Sequence, residues 1–245
     1  MWTCAYPHLE RHCKKPQNID RNMKIHLLIL LSIILTINTF AQNHSFDTAL
    51  VINNKAYQIL TSDINDDYVT MTVFRDSEKI SIDTIESGRL ANIEFPDFNK
   101  DNNPDIMLTY MGNNSIYFLY LFDQKTERFK SIEGFSKYPD AIQLKNQPDL
   151  YYSYHRAGCA DMNWVSDLFK IVDFKTVQLG HIYGQGCDFE VNENPQRIET
   201  YKVIGNNESN GKLIEKLPYL KFIPEFGDKW SFIEKYWNEN YKKFE

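Results

Sequence analysis

Oxygen donors crowd one short stretch of this chain, Asp97-Phe98-Asn99-Lys100-Asp101-Asn102-Asn103-Pro104-Asp105. Asp97, Asn99, Asp101 and Asp105 stand at positions 1, 3, 5 and 9, and Asn103 offers a backbone carbonyl at position 7. A tight loop with this spacing can fold its donors inward around a hard cation, and calcium takes six to eight oxygens at about 2.3–2.6 Å. Five loop ligands plus water approach that number. Position 6 of such a loop favours left-handed backbone, which Asn102 tolerates better than other non-glycine residues. Position 12 is Leu108, and Ile106–Tyr110 reads as a strand, so the site predicted is a strand-borne calcium loop and not a helix–loop–helix pair. The competing reading is an Asx-rich turn without metal.

Other reactive side chains are sparse. Cys159 and Cys187 are the two cysteines beyond residue 41, and an isolated pair in an exported chain predicts one disulfide. His155 and His181 lie near them in sequence, but no closely spaced His/Cys cluster suggests zinc. His44 would fall near the start of the processed chain. Serine-hydrolase, zinc-protease and phosphate-loop motifs are missing. Asp161 and Asp167 are the best acid pair for glycoside hydrolysis, against the simpler reading of solvated loop acids. Catalytic residues are therefore assigned to none. The run Tyr151–Trp164 is rich in Tyr, Trp, Arg and His, which suits either an interface anchor or strands alternating into a core.

These residues need elements to hold them. Four hairpins are expected: Tyr68–Phe74 with Lys79–Ile85, Ile116–Phe122 with Arg128–Ile132, Leu168–Val172 with Thr176–Leu179, and Tyr201–Ile204 with Lys212–Ile214 across a Gly205–Gly211 loop. The turns led by Asp76, Asp123 and Asp173 recur at a propeller-blade interval of about 50 residues. The fold predicted is mostly β, either a propeller-like assembly of antiparallel hairpins or a β-sandwich. Trp230, Ile233, Trp237 and Tyr241 recur at helical spacing, with Asp228 as N-cap, predicting one C-terminal helix over about 229–242. Asp63–Asp67 and Asp188–Asn192 are fragments of further acidic loops.

The loop resembles the calcium loops of FG-GAP and VCBS repeats, which occur on β-propeller blades. The longer run Asp97–Leu179, with its Tyr120-Leu-Phe-Asp-Gln-Lys-Thr-Glu-Arg-Phe129 turn, is similar to a group of exported bacterial propeller-like proteins. Members of that group inhibit lysozyme-like peptidoglycan hydrolases, some as immunity proteins. The resemblance implies that Asp97, Asn99, Asp101, Asn103 and Asp105 ligate Ca2+. It also implies a cell-wall hydrolase as partner. Asn102 in place of Gly, and the lack of a second complete loop, depart from the repeat pattern.

Met23–Ala41 has the order of a signal peptide: a basic start, an apolar run from Leu27 to Ile37, and small residues before Gln42. That run is too short to span a bilayer, and residues 1–22 read as an upstream extension. The expected product is a single β-rich domain over 42–245, periplasmic or extracellular, with no integral membrane segment after processing. Five basic and two acidic side chains precede residue 42, so the whole-chain charge of −6 becomes −9. That excess disfavours nucleic acid and favours a cation or a cationic partner. The function expected is a calcium-stabilised binding protein, by the resemblance an inhibitor or immunity protein, with a polysaccharide hydrolase or a surface structural module as alternatives.

Overall fold

Two-residue turns with left-handed backbone punctuate the chain. Asn53-Asn54, Asp76-Ser77, Asp173-Phe174 and Gly205-Asn206 all have positive φ at both residues, between 47° and 73°. Paired positive φ is the backbone of a type I′ turn, whose twist matches that of the strands it joins. The structure is a computed structural model that describes residues 46–187 and 196–245, without the side chains of residues 207–209. The signal-peptide segment, the upstream extension, His44 and the Asp188–Asn192 fragment lie outside the described residues.

Three antiparallel sheets follow one another along the chain. The first is the meander β1 (Asp47–Ile52), β2 (Lys55–Asp63), β3 (Tyr68–Arg75) and β4 (Glu78–Glu86). The second is the meander β5 (Leu90–Glu94), β6 (Ile106–Tyr110), β7 (Ile116–Asp123) and β8 (Arg128–Ser131). The third holds β9 (Ile142–Leu144), β10 (Gln147–Tyr152), β11 (His155–Arg156), β12 (Asn163–Val172), β13 (Lys175–Gln185), β14 (Arg197–Ile204) and β15 (Asn207–Pro218). Its order is β15-β14-β13-β12-β10-β9, with β11 paired to β12. The turns led by Asp76, Asp123 and Asp173 fall one in each sheet.

Strand periodicity explains the layering, because successive side chains point to opposite faces. In the second sheet Ile106, Leu108, Tyr120 and Phe122 join Tyr57, Ile59, Val69 and Ile85 of the first sheet in one core. Met107, Leu119 and Leu121 leave by the opposite face and pack with Tyr151 and Phe169 of the third sheet. The third sheet then turns Leu150, Tyr152, Trp164, Leu168, Ile182 and Ile198 to its far side. There they meet α2 (Asp228–Asn240), which follows the short α1 (Tyr219–Phe222). The described residues thus form a stack of sheet, sheet, sheet and helix. Each buried Leu, Ile or Phe in it is worth about 1.5–3 kcal/mol.

The protein is mostly β, with three antiparallel sheets and a C-terminal helix, and no closed propeller is present among the described residues. The outer face of the third sheet is covered by α2, so the succession of sheets stops there. Two sequence expectations need correction. The Gly205–Gly211 loop is only the turn Gly205-Asn206, because β15 begins at Asn207, which pairs with Ile204, and pairing with β14 resumes at Lys212 after an irregularity. The helix begins at Asp228, with Gly227 in the capping position, and its buried face is Lys229, Phe232, Ile233, Tyr236 and Trp237. Trp230 is 47% exposed. Ile233 and Trp237 of the expected stripe lie in the core and Tyr241 packs against it, so Trp230 alone departs, because Lys229 takes the buried position beside it.

Gly184 marks the closest packing inside the third sheet. A Cβ placed there would fall 2.1 Å from Cε2 of Trp164, a wholly buried ring. Absence of a side chain on β13 is what lets the indole lie flat against the strand.

Candidate functional site: the Asp97–Asp105 loop

The loop connects β5 to β6 and closes at its base, where Asp105 N–H donates to Pro96 O at 2.7 Å. Its coil is held by side-chain oxygens. Asp97 accepts from Asp101 N–H (2.9 Å) and Asn102 N–H (3.0 Å), Asn99 Oδ1 accepts from Asp101 N–H (3.2 Å), and Asp101 Oδ1 accepts from Asn103 N–H (2.9 Å). Lys100 and Asn102 take positive φ, 59° and 68°. The left-handed backbone expected at position 6 is therefore present at Asn102.

The loop is anchored on both neighbouring layers. Phe98 stacks on Tyr151 of the third sheet at 4.9 Å between ring centroids and meets Phe135 edge-on at 5.2 Å. Gln143 Nε2 donates to Asn99 O at 3.2 Å. Asp105 is wholly buried, and its carboxylate accepts from Phe98 N–H at 2.9 Å and from Phe122 N–H on β7 at 2.8 Å. Burial pushes the Asp105 carboxyl up to about 6 against those two amides, and the neighbouring Asp101 adds to the rise. Ordering of this loop is thus coupled to the packing of the second sheet on the third.

The donor set is all oxygen, the chemistry of a hard cation. An ionised carboxylate has about four acceptor sites, and Asp97 uses two of them in these bonds. No ion pair among the described residues joins Asp97, Asp101 or Asp105 to a basic side chain. No three Asp, Glu, His or Cys side chains among the described residues converge closely enough to hold a metal alone. A cation here would also need Asn99, the Asn103 carbonyl and water. At present Asn99 Nδ2 and Asn103 Nδ2 donate to Asp101, at 3.1 and 2.9 Å.

The other sequence candidates separate. Cys159 and Cys187 form a disulfide with Cα atoms 5.9 Å apart, closing a 28-residue separation. Asp161 and Asp167 serve different networks. Asp167, nearly buried, accepts from Gln178 Nε2 at 2.8 Å and lies 2.7 Å from His181 Nδ1. Asp161 bonds Lys229 and the hydroxyl of Tyr154. His155 pairs with Val165 on one side of β12, and His181 pairs with Asp167 on the other, so the two imidazoles flank a strand. In the Tyr151–Trp164 run, Tyr151, Tyr152, Tyr154 and Trp164 are buried, so its aromatic residues belong to the core. The Asp63–Asp67 fragment is the β2–β3 turn, in which Asn65 Oδ1 accepts from the amides of Asp67 and Tyr68.

Sequence reading missed Lys229. Its side chain is wholly buried, bonds Asp161 Oδ2 at 2.8 Å and Asp161 O at 3.0 Å, and sits 3.8 Å from the Phe226 ring centroid. A lysine among aromatics at helical spacing gives no local sign of a partner 68 residues away.

No protein-family model matches the chain, and no curated protein matches it. Among solved structures, one described as "Structure of a Xanthomonas Type IV Secretion System related protein" is similar at 14% identity and a TM-score of 0.44. That match covers 71% of this chain and 95% of the other.

Proposed function

We propose that this chain is an exported binding protein, stabilised by calcium at Asp97–Asp105, that holds a cationic partner of the lysozyme-like cell-wall hydrolase class. The observation that carries the calcium reading is Asp105, a buried carboxylate without a basic partner at the end of a loop of oxygen donors. A divalent ion would neutralise it and fasten the loop that bridges two layers, with Asp97, Asn99, Asp101, the Asn103 carbonyl and Asp105 as its ligands. The partner reading rests on the resemblance of Asp97–Leu179 to exported inhibitors and on the acidic charge of −6, which would speed encounter with a basic enzyme. The three stacked sheets stand as open, propeller-like blades in this reading, and the Cys159–Cys187 bridge suits an oxidising compartment.

The test is inhibition of several muramidases by the purified protein, with calcium and with chelator. Inhibition that weakens on chelation is the expected result. Full muramidase activity at saturating protein and calcium would remove the partner from the account.

A further inference from the structure

Between the first and second sheets lies a cleft of about 360 Å³ that has no part in the calcium loop. Its floor is the buried pair Ile85 and Leu108, and its walls are the rings of Tyr110, Phe118 and Tyr120. Tyr68 stands at the rim, and Tyr68 and Phe118 are each 42% exposed. Tyr110 and Phe118 meet edge to face at 5.3 Å, so the two rings present different surfaces to the space between them.

Thr84 and Ser131 also line this cleft, and the charged groups around it are acidic. Glu86 lines it and is exposed. Tyr120 OH donates to Asp83 Oδ2 at 2.7 Å, and Tyr110 OH donates to the backbone carbonyl of Glu86 at 2.9 Å. Both phenols therefore turn their protons away toward acceptors, which leaves acceptor character and ring faces for an incoming group. Burial, and after it Glu86 and Asp83, together raise the Tyr110 hydroxyl to about 12, with no basic side chain acting against them. Asp83 and Tyr110 push Tyr120 in the same direction as its burial. An apolar ligand would leave those carboxylates uncompensated, and an anion would be repelled.

We propose that this cleft is a receptor site for one guanidinium or alkylammonium side chain presented by a protein partner. The apolar stem packs on Ile85 and Leu108, the cationic head lies against the rings, and the Glu86 carboxylate closes over it. Aromatic faces attract cations within about 6 Å of the centroid, and arginine adds planar stacking and a fork for a carboxylate. The inference deepens the proposed function, because a cationic partner would supply such a side chain, but the site itself can be examined without any hydrolase.

The experiment is an NMR titration of the full chain with N-acetyl-arginine amide, against its neutral isostere N-acetyl-citrulline amide. The ring resonances of Tyr110, Phe118 and Tyr120 are followed. Saturable shifts with the arginine probe, and binding of citrulline weaker by about fivefold or more, are expected. Glu86→Gln, an exposed substitution, should weaken the arginine probe by about fivefold, and Phe118→Ala should abolish the shifts while near-ultraviolet dichroism confirms the fold. Equal binding of citrulline and arginine, no effect of Glu86→Gln, or no shift of these rings would overturn the site. A negative result with the probe leaves muramidase inhibition to be judged on its own assay.

Discussion

Lys229 Nζ lies 2.8 Å from Oδ2 of Asp161, with the lysine side chain wholly buried and the aspartate nearly so. The pair joins the start of α2 to the turn that carries Cys159, and Tyr154, Phe226 and Trp230 surround the ammonium with aromatic rings. Removing one member of a buried pair costs about 3–5 kcal/mol, and without Lys229 the Asp161 carboxylate would keep only the Tyr154 hydroxyl and a long 3.9 Å contact to the exposed Arg156. Lys229→Met should therefore destabilise the protein by about 3 kcal/mol in urea unfolding. The double variant with Asp161→Asn should recover part of that loss. A loss under about 1 kcal/mol in the single variant would mean that solvent reaches the pair.

The disulfide acts on the same turn from the other side. Cys159, Ala160 and Asp161 are three successive residues with positive φ, 51°, 50° and 72°, a backbone that side chains with a Cβ adopt at a cost. Cross-linking a separation of 28 residues is worth about 3.5 kcal/mol in the loop-entropy model. Replacing both cysteines by serine should lower stability by about that amount and release the left-handed turn. Hydrogen exchange at Ala157 and Asn163, whose backbones bond each other at 2.8 Å, should accelerate more than exchange in the first sheet.

Gly184→Ala probes the close approach of β13 to Trp164. The added methyl would overlap the indole, and overpacking of this kind costs about 1–3 kcal/mol. Gly205→Ala serves as comparison. It meets no neighbour within 4 Å but has a φ of +68°, so its cost is backbone strain alone. Denaturant midpoints of the two variants separate packing from strain.

Glu199 supplies a pH dependence. Burial pushes its carboxyl up, but Lys216 at 2.8 Å, Tyr201 at 2.6 Å and Arg197 at 2.9 Å outweigh burial and hold it at about 2. The folded carboxyl thus binds its proton less readily than the unfolded one, whose ordinary value is 4.5. The stability it contributes is complete above about pH 4.5 and is lost as pH falls toward 2. Glu199→Gln should flatten the stability profile across that window by roughly 2 kcal/mol, since the cations that hold it are partly exposed. An unchanged profile would place the acid sensitivity elsewhere.

Local signals were legible in the sequence where they were self-contained. Asp-led turns between alternating strands, at Asp76, Asp123 and Asp173, announced the β3–β4, β7–β8 and β12–β13 hairpins. The two cysteines beyond residue 41 allowed one pairing. The Asx spacing at 97–105 foretold a coiled loop with left-handed Asn102. Relations between distant segments were not legible. Nothing near Lys229 signals Asp161, so a polar residue inside the buried face displaced the helical reading toward Trp230. The Gly205–Gly211 stretch looks like a loop by composition, yet β15 starts inside it at Asn207 and pairs with β14 across an irregularity in register. The cleft between the first two sheets is assembled from β4, β6 and β7, and its acidic mouth exists only once those sheets meet.

The central claim concerns the 97–105 loop, and calorimetric melting with millimolar calcium and with chelator tests it most directly. Binding at a hundred times the dissociation constant adds about 2.7 kcal/mol, which for a domain of this size is roughly 5–10 °C in Tm. Calcium should raise the melting temperature of the wild type by that amount and leave Asp101→Asn, which loses a charged donor, nearly unmoved. Identical melting of the wild type in calcium and in chelator would contradict the account.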